Sequence, residues 1–340
     1  MVSLWPDSLI EENNVGIYQT ILASLGGVLM AIGLSGPVMA QADFPSKPLK
    51  LIVAFPPGGT SDVLGRMMAD ELSKVLKQPV VVENIAGAGG IVGMDRALKM
   101  PADGYTLIQT GVGQNAVAHG LDPNLKYNSM NDFIHLTQVN YGPNVLVVHP
   151  NQPFKTVKDV VDFAKKNPGK LDYGFTHAAS GHMAMELFKQ TTGIVLTGIP
   201  YKGGGPMLND LLAGTIPMIF LNQDVVMPHV KAGKLRAIAV TSKDRNPLYP
   251  DVPTIAVSGY IGFEATSWSG ISVAKGTPPA IVDKLDAALA QAMKSDAIKQ
   301  RLTSVGFVIP PYGTKHYTPF VAAEIDQWTR VIRTAGIKPE

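Results

Sequence analysis

The 340-residue sequence contains no cysteine. That absence excludes a disulfide framework, a thiolate metal site, a cysteine nucleophile and a lipid-modified N-terminal cysteine. Charge is sparse too. Lys and Arg total 29 against 27 Asp and Glu, a formal net charge of +2, and no basic run occurs. A nucleic-acid partner therefore has no electrostatic footprint. There is no GxSxG, no Walker A motif, no HExxH, and no GxGxxG after the first predicted strand. The run from Gly87 to Gly93 superficially looks like a dinucleotide loop, but no acidic residue closes a strand about 20 residues further on. His177 and His182 lie five apart with no third ligand nearby, so neither a metal nor a cofactor is expected. No repeat stands out at a fixed short period.

What is present suffices for a folded protein. Hydrophobic residues make up 46% of the chain, which rules out wholesale disorder. At roughly 150 residues per domain the length favours two domains or one large one. The 34 Gly and 26 Pro point to many turns. Residues 21–36 form one uncharged, mostly apolar run, shorter than the ~20 residues of a membrane span and suited to the core of a secretory leader. Ala40-Gln41-Ala42 and Val38-Met39-Ala40 both fit a cleavage site, so residues 1–42 are expected to be a signal peptide. The segment ahead of the run is atypical: it carries Asp7, Glu11 and Glu12 and no Lys or Arg. Without these residues the chain has 29 basic and 24 acidic side chains, a mild positive bias that suits an anionic solute.

From residue 47 short apolar runs alternate with amphipathic stretches, as in an α/β protein. Strands are predicted at 49–55, 79–84, 106–110, 144–150, 171–175, 198–201, 216–220 and 236–241. Helices are predicted at 63–77, from Thr156 to Asn167, after Thr277-Pro278 and after Thr318-Pro319, each of these Pro residues at a first helical position. Val321, Ile325, Trp328 and Ile332 share one face of the last helix, and the stretch around Trp268 is more β-like than helical. Two segments, LIVAFPPGGTSDVLGRMM and LDYGFTHAASGHMAMELF, share a layout of buried strand, small-residue loop and helix. Such a junction aims backbone N–H groups and a positive dipole end at whatever fills the loop. As a pair they predict one ligand between two lobes.

Seven ordered segments carry a family resemblance: AFPPGGTSD (54–62), VVENIAGAGG (81–90), PADGYTL (101–107), YKGGGPMLNDLLAG (201–214), PHVKAGKLRAIAVTS (228–242), DVPTIAVSGYIGFEATSW (251–268) and GTPPAIVDKL (276–285). From about residue 44 to 336 the chain resembles the Bug family of periplasmic solute receptors, the extracytoplasmic components of tripartite tricarboxylate transporters. The resemblance implies an α/β, two-lobed periplasmic binding protein with two crossing strands. Lobe one would hold 43–144 plus 268–340 and lobe two 145–267, with the strands at 144–150 and around Trp268 as the crossings. It implies a non-enzymatic, monomeric receptor that gives a small carboxylate to membrane permease subunits or to a sensor. It also implies ligand contacts from Gly58, Gly59, Thr60, Ser61, Ala88 and Gly89 in the first lobe, and from Thr176, His177, Ala179 and Ser180 in the second. Phe175 and Asn222 complete the expected site.

Departures from the family pattern bear on specificity. The second-lobe loop reads Phe175-Thr176-His177-Ala178-Ala179-Ser180-Gly181. Phe220-Leu221-Asn222 replaces the usual Phe-Asp-Asn, Gln223-Asp224 replaces apolar and Pro residues, and Ile85-Ala86 replaces a common Arg-Pro. One cation and one acid have left the vicinity, which favours a solute less charged or more apolar than citrate, with His177 as an added contact. The rival reading from another class is a hydrolase-like enzyme using Ser180 and His177, although nothing around Ser180 looks like a nucleophile elbow.

Overall fold

A computed structural model describes residues 44–337 of the chain; the expected signal peptide lies outside the described residues. The architecture belongs to the compact unit that begins at Lys47. Its backbone is one nine-stranded mixed sheet. The first half is built on β1 (Leu49–Val53), β2 (Val80–Asn84), β3 (Thr106–Gly111) and β9 (Thr266–Ala274). The second half is built on β5 (Asp172–Phe175), β6 (Thr197–Pro200), β7 (Met218–Asn222) and β8 (Arg236–Val240).

The two halves meet on β4 (Phe133–Val148), a 16-residue strand. Its residues Phe133 to Pro143 pair antiparallel with β9, whereas Asn144 to Val148 run between β7 and β8. The change of partner falls at Pro143, which has no N–H to continue the ladder. Sequence reading started this strand only at Asn144. The stretch before it is polar at His135, Thr137, Gln138 and Asn140, yet all four are buried. The His135 ring is within hydrogen-bonding distance of Ser272 Oγ and Ser129 O, 2.8 Å each, so burial leaves it satisfied.

Helices cover both halves: α1 (Thr60–Leu76), α2 (Ile91–Leu98), α3 (Ala118–Leu121), α4 (Val157–Lys166), α5 (Ser180–Thr192), α6 (Gly204–Leu212), α7 (Gln223–Lys231), α8 (Pro279–Met293), α9 (Asp296–Ser304) and α10 (Thr314–Ala335). A 3₁₀ turn over Ala88–Gly90 and a π-helical turn over Val112–Val117 precede α2 and α3. The start of α4 is a capping box in which Asp159 does the work of the usual Glu: Thr156 Oγ1 accepts from Asp159 N at 3.1 Å and Asp159 Oδ2 accepts from Thr156 N at 2.9 Å.

Two predicted helix starts shift. Pro278 is itself the cap of α8, with Pro279 in the first turn, because Thr277 Oγ1 donates to Ala274 O at 2.8 Å and does not cap. Pro319 sits inside α10, which begins five residues earlier at Thr314. Packing explains the extension: Tyr317 is fully buried, with its hydroxyl 2.6 Å from Thr110 Oγ1, and this holds the preceding turn helical despite the proline. Downstream, Val321, Trp328 and Ile332 are buried on the predicted face and join the largest core. No helix among the described residues is long and apolar enough to cross a membrane.

Candidate functional site

Parallel strands end in loops at one edge of their sheet, and ligands of open α/β sheets bind in the crevice beyond those carboxyl ends. Here β1 pairs parallel with β2 and β3, and β5 with β6 and β7. The residues that follow β1, β3, β5 and β6, together with the end of β7, line one cavity of about 300 Å³. That volume is at the lower end for small-molecule pockets.

Four helices of eight or more residues begin on this cavity; one is α7, capped by Asn222 and carrying the acid Asp224 in its first turn, and the other three have no polar side chain at the cap. Gly59 caps α1, Ala179 caps α5 and Gly203 caps α6, and none of the three starts carries a side-chain cap. By contrast Thr156 caps α4 and Ser295 caps α9 with their hydroxyls. The first turns of α1, α5 and α6 thus present backbone N–H groups and positive dipole ends to the cavity without internal acceptors from their caps. The loop ahead of α1 is held by Asp62, whose carboxylate accepts from Gly58 N (3.0 Å), Asn84 Nδ2 (3.0 Å) and Arg66 Nε (3.1 Å). Burial alone would raise the Asp62 pKa, but these bonds outweigh it and hold it below the ordinary value.

The rest of the wall is largely apolar, with Phe55, Pro56, Pro57, Pro206, Met207, Leu208, Phe220, Leu221, Val225 and Trp268. Lys202 is the charged side chain among its lining residues. Trp268 is fixed from behind: its indole N–H donates to Glu324 Oε2 at 2.6 Å, and Trp328 donates to the same oxygen at 3.0 Å. Burial pushes the Glu324 pKa up, and the two indole bonds pull it back part of the way.

Of the residues predicted from the sequence, Gly58, Gly59, Thr60, Ser61, Thr176, Ala179, Ser180 and Asn222 line the cavity. Ala88, Gly89, Phe175 and His177 do not. The turn at Gly89 abuts the other loop instead: a Cβ there would lie 2.5 Å from the Ala178 Cβ. The His177 ring lies against that of His182, with centroids 5.5 Å apart, and His182 in turn stacks on Phe175 at 4.4 Å and 22°. Of these three rings, His182 is the one on the cavity wall. Burial pushes its pKa down to about 4, so it is neutral at pH 7. Ser180 Oγ is 3.2 Å from Asn144 Oδ1 and 3.1 Å from Asn222 Oδ1, so its proton faces two amide oxygens and no imidazole.

Sequence reasoning gave no ligand-binding role to Lys202, Gln114, His182 or the Gly203–Gly205 run. The last was legible: GIPY followed by KGGGP and a helix repeats the strand, small-residue loop and helix layout of the other two junctions.

A family model described as "Tripartite tricarboxylate transporter family receptor" matches residues 64–337. Protein BugT of Bordetella pertussis is 37% identical over 321 residues, covering 94% of this chain and 98% of its own. Among solved structures, Rpa4515 of R. palustris with adipate superposes with a TM-score of 0.83 at 35% identity, covering 88% of this chain and all of that one. MatC of Rhodopseudomonas palustris with bound malate gives 0.81 at 29% identity, covering 85% of this chain and 100% of that one. The α/β periplasmic binding protein fold and the Bug-type resemblance therefore stand, and the chain belongs to the tripartite tricarboxylate transporter family of receptors.

Proposed function

We propose that the protein is exported and captures a small carboxylate in this cavity, between lobes 43–144 plus 268–340 and 145–267, for delivery to a membrane permease. The observation that carries the reading is the convergence of three helix starts without side-chain caps, on α1, α5 and α6, upon one mostly apolar cavity. A helix start contributes about 0.3–2 kcal/mol to an anion, and charge-assisted hydrogen bonds about 1.5–3 kcal/mol each before ordering costs. Four or five such contacts support micromolar affinity, about −8 kcal/mol. The apolar wall suits a ligand with a hydrocarbon body between its polar ends, and adipate and malate, seen in relatives, are the first ligands to test. The hydroxyl of Ser180, engaged with two amides, supports capture over hydrolysis.

Calorimetry of the 43–340 form against adipate, malate, citrate and benzoate tests the reading. Adipate is expected to bind most tightly and citrate least, with every ligand recovered chemically unchanged. No heat with any carboxylate, or turnover of one, refutes it. Intact-mass measurement of the exported protein is expected to give a chain starting at Gln41 or Asp43.

A further inference from the structure

One side chain next to the cavity is used by none of the arguments above. Asp224 lies in the first turn of α7, directly after β7, and therefore belongs to the second half of the sheet. Its Oδ1 accepts a hydrogen bond of 2.9 Å from Thr60 Oγ1, at the first position of α1 in the other half, 164 residues away in sequence. Thr60 lines the cavity, while Asp224, half-buried, is not part of its wall, although its neighbours Asn222 and Val225 are. This bond therefore spans the two halves beside the ligand space, and separating the halves breaks it. We propose that Asp224 is a latch residue: through Thr60 it holds α1 against α7 when the cavity is closed, and so sets how long a bound solute is retained. The proposal rests on the capture reading above.

The chemistry of the pair decides what the latch responds to. Asp224 has no salt bridge among the described residues; Arg301 on α9 acts on it only at longer range, and Tyr249 in the segment after β8 feels its charge. Its other partners are the Thr60 hydroxyl and the backbone N–H groups of Asp224 and Val225 at the start of its own helix. Burial raises its pKa to about 6, with Thr60 and the start of α7 offsetting part of the rise. Opening returns the carboxyl to water and to an ordinary value near ~3.9. The closed form then binds a proton more tightly than the open form, so closure strengthens as pH falls from about 6 toward ~3.9 and is weakest, and level, above 6. A protonated carboxyl still offers its carbonyl oxygen to Thr60, so the bond survives protonation. Bound anionic solute close to Thr60 works in the same direction, because it penalises the ionised form of Asp224 further.

The predictions separate the bond from the charge. Asp224→Asn keeps an amide oxygen for Thr60 and removes the charge; Asp224→Ala removes both, and Thr60→Val removes the donor. The test is small-angle scattering of each protein, alone and with adipate, together with adipate release rates by stopped flow at pH 7.5 and pH 5.5. Asp224→Ala and Thr60→Val are expected to be more expanded than wild type and to release adipate about tenfold faster, as the loss of one hydrogen bond to a charged group implies. The double variant should match Asp224→Ala, since both changes delete one interaction. Asp224→Asn should be at least as compact as wild type, with a release rate at both pH values close to that of wild type at pH 5.5. Scattering curves of Asp224→Ala and Thr60→Val that coincide with wild type in both conditions overturn the latch. So does an Asp224→Asn protein that opens like Asp224→Ala. Failure of the capture reading shows separately, as absence of adipate heat in the wild-type calorimetry, and scattering of the unliganded proteins still decides the latch.

Discussion

Lys202 is the charged side chain on the cavity wall, and replacing it with Met isolates what a cation adds to a site otherwise built from backbone N–H groups. The residue is exposed and its ammonium has no acidic partner among the described residues, so the substitution breaks no internal ion pair. Met keeps an unbranched side chain of similar length, so the loop from Tyr201 to Gly203 keeps its packing. A hydrogen bond to a charged group is worth about 1.5–3 kcal/mol, and exposure of the Lys202 stem to water places this one at or below the lower end. A loss of ~1.5 kcal/mol corresponds to about a tenfold weaker Kd. The assay is calorimetry with adipate and malate at low and high salt. Wild type should lose affinity as salt rises, while Lys202→Met should start about tenfold weaker and change little, because screening acts on the charge that it lacks. Benzoate, with a single carboxylate, should be affected less than either diacid. Equal affinities of the two proteins for both diacids, within about twofold at low salt, refute the assignment.

Two further outcomes follow from the geometry. A Cβ at Gly59 meets no atom within 4 Å, and its φ of −87° suits any residue, so Gly59→Val should fold normally while filling the space before the α1 N–H groups. Loss of two charge-assisted bonds at ~1.5–3 kcal/mol each predicts adipate binding weakened more than about a hundredfold in calorimetry with an unchanged melting temperature; intact binding would show the loop to be packing alone. His182 is pushed by burial from 6.5 to about 4, so the folded form binds fewer protons than the unfolded one, and its contribution, complete above pH 6.5, is lost as pH falls toward 4. That is on the order of 3 kcal/mol, shared in kind by His135, which is also lowered to about 4, and by His119, which burial lowers too; His182→Gln should make the acid slope of stability in denaturant titrations measurably shallower, and an unaltered slope contradicts the burial argument.

Strands and loops were legible where one local rule sufficed. The apolar runs of β1, β3, β5 and β7 are strands, and the small-residue loops after β1 and β5 do border one cavity. The first part of β4 was not legible, because His135, Gln138 and Asn140 read as surface residues until their partners on β9, α10 and the loop at Ser129 are in place. The same holds for the start of α10, where the buried contact of Tyr317 with Thr110 outweighs the proline signal. At the site, backbone contributors such as Gly58 and Ser61 could be placed from their position between strand and helix, whereas His177 was expected to be the cavity contact and His182 lines the cavity in its place. Which of two imidazoles five residues apart reaches the cavity depends on a stack with Phe175, and no sequence spacing encodes that.

The shared acceptor behind Trp268 gives the molecule an optical property. The chain has three tryptophans, and one of them, Trp5, lies in the expected signal peptide. In the form that lacks residues 1–42, all indole emission arises from Trp268 and Trp328, two rings tied to a single carboxylate oxygen. One ring borders the cavity and the other is sealed in the core, 1% exposed. A solute that displaces water from the cavity alters the surroundings of the first chromophore and leaves the second as an internal standard. Occupancy is thus written into the spectrum of the unlabelled protein, and the wavelength shift on titration counts filled sites without any dye.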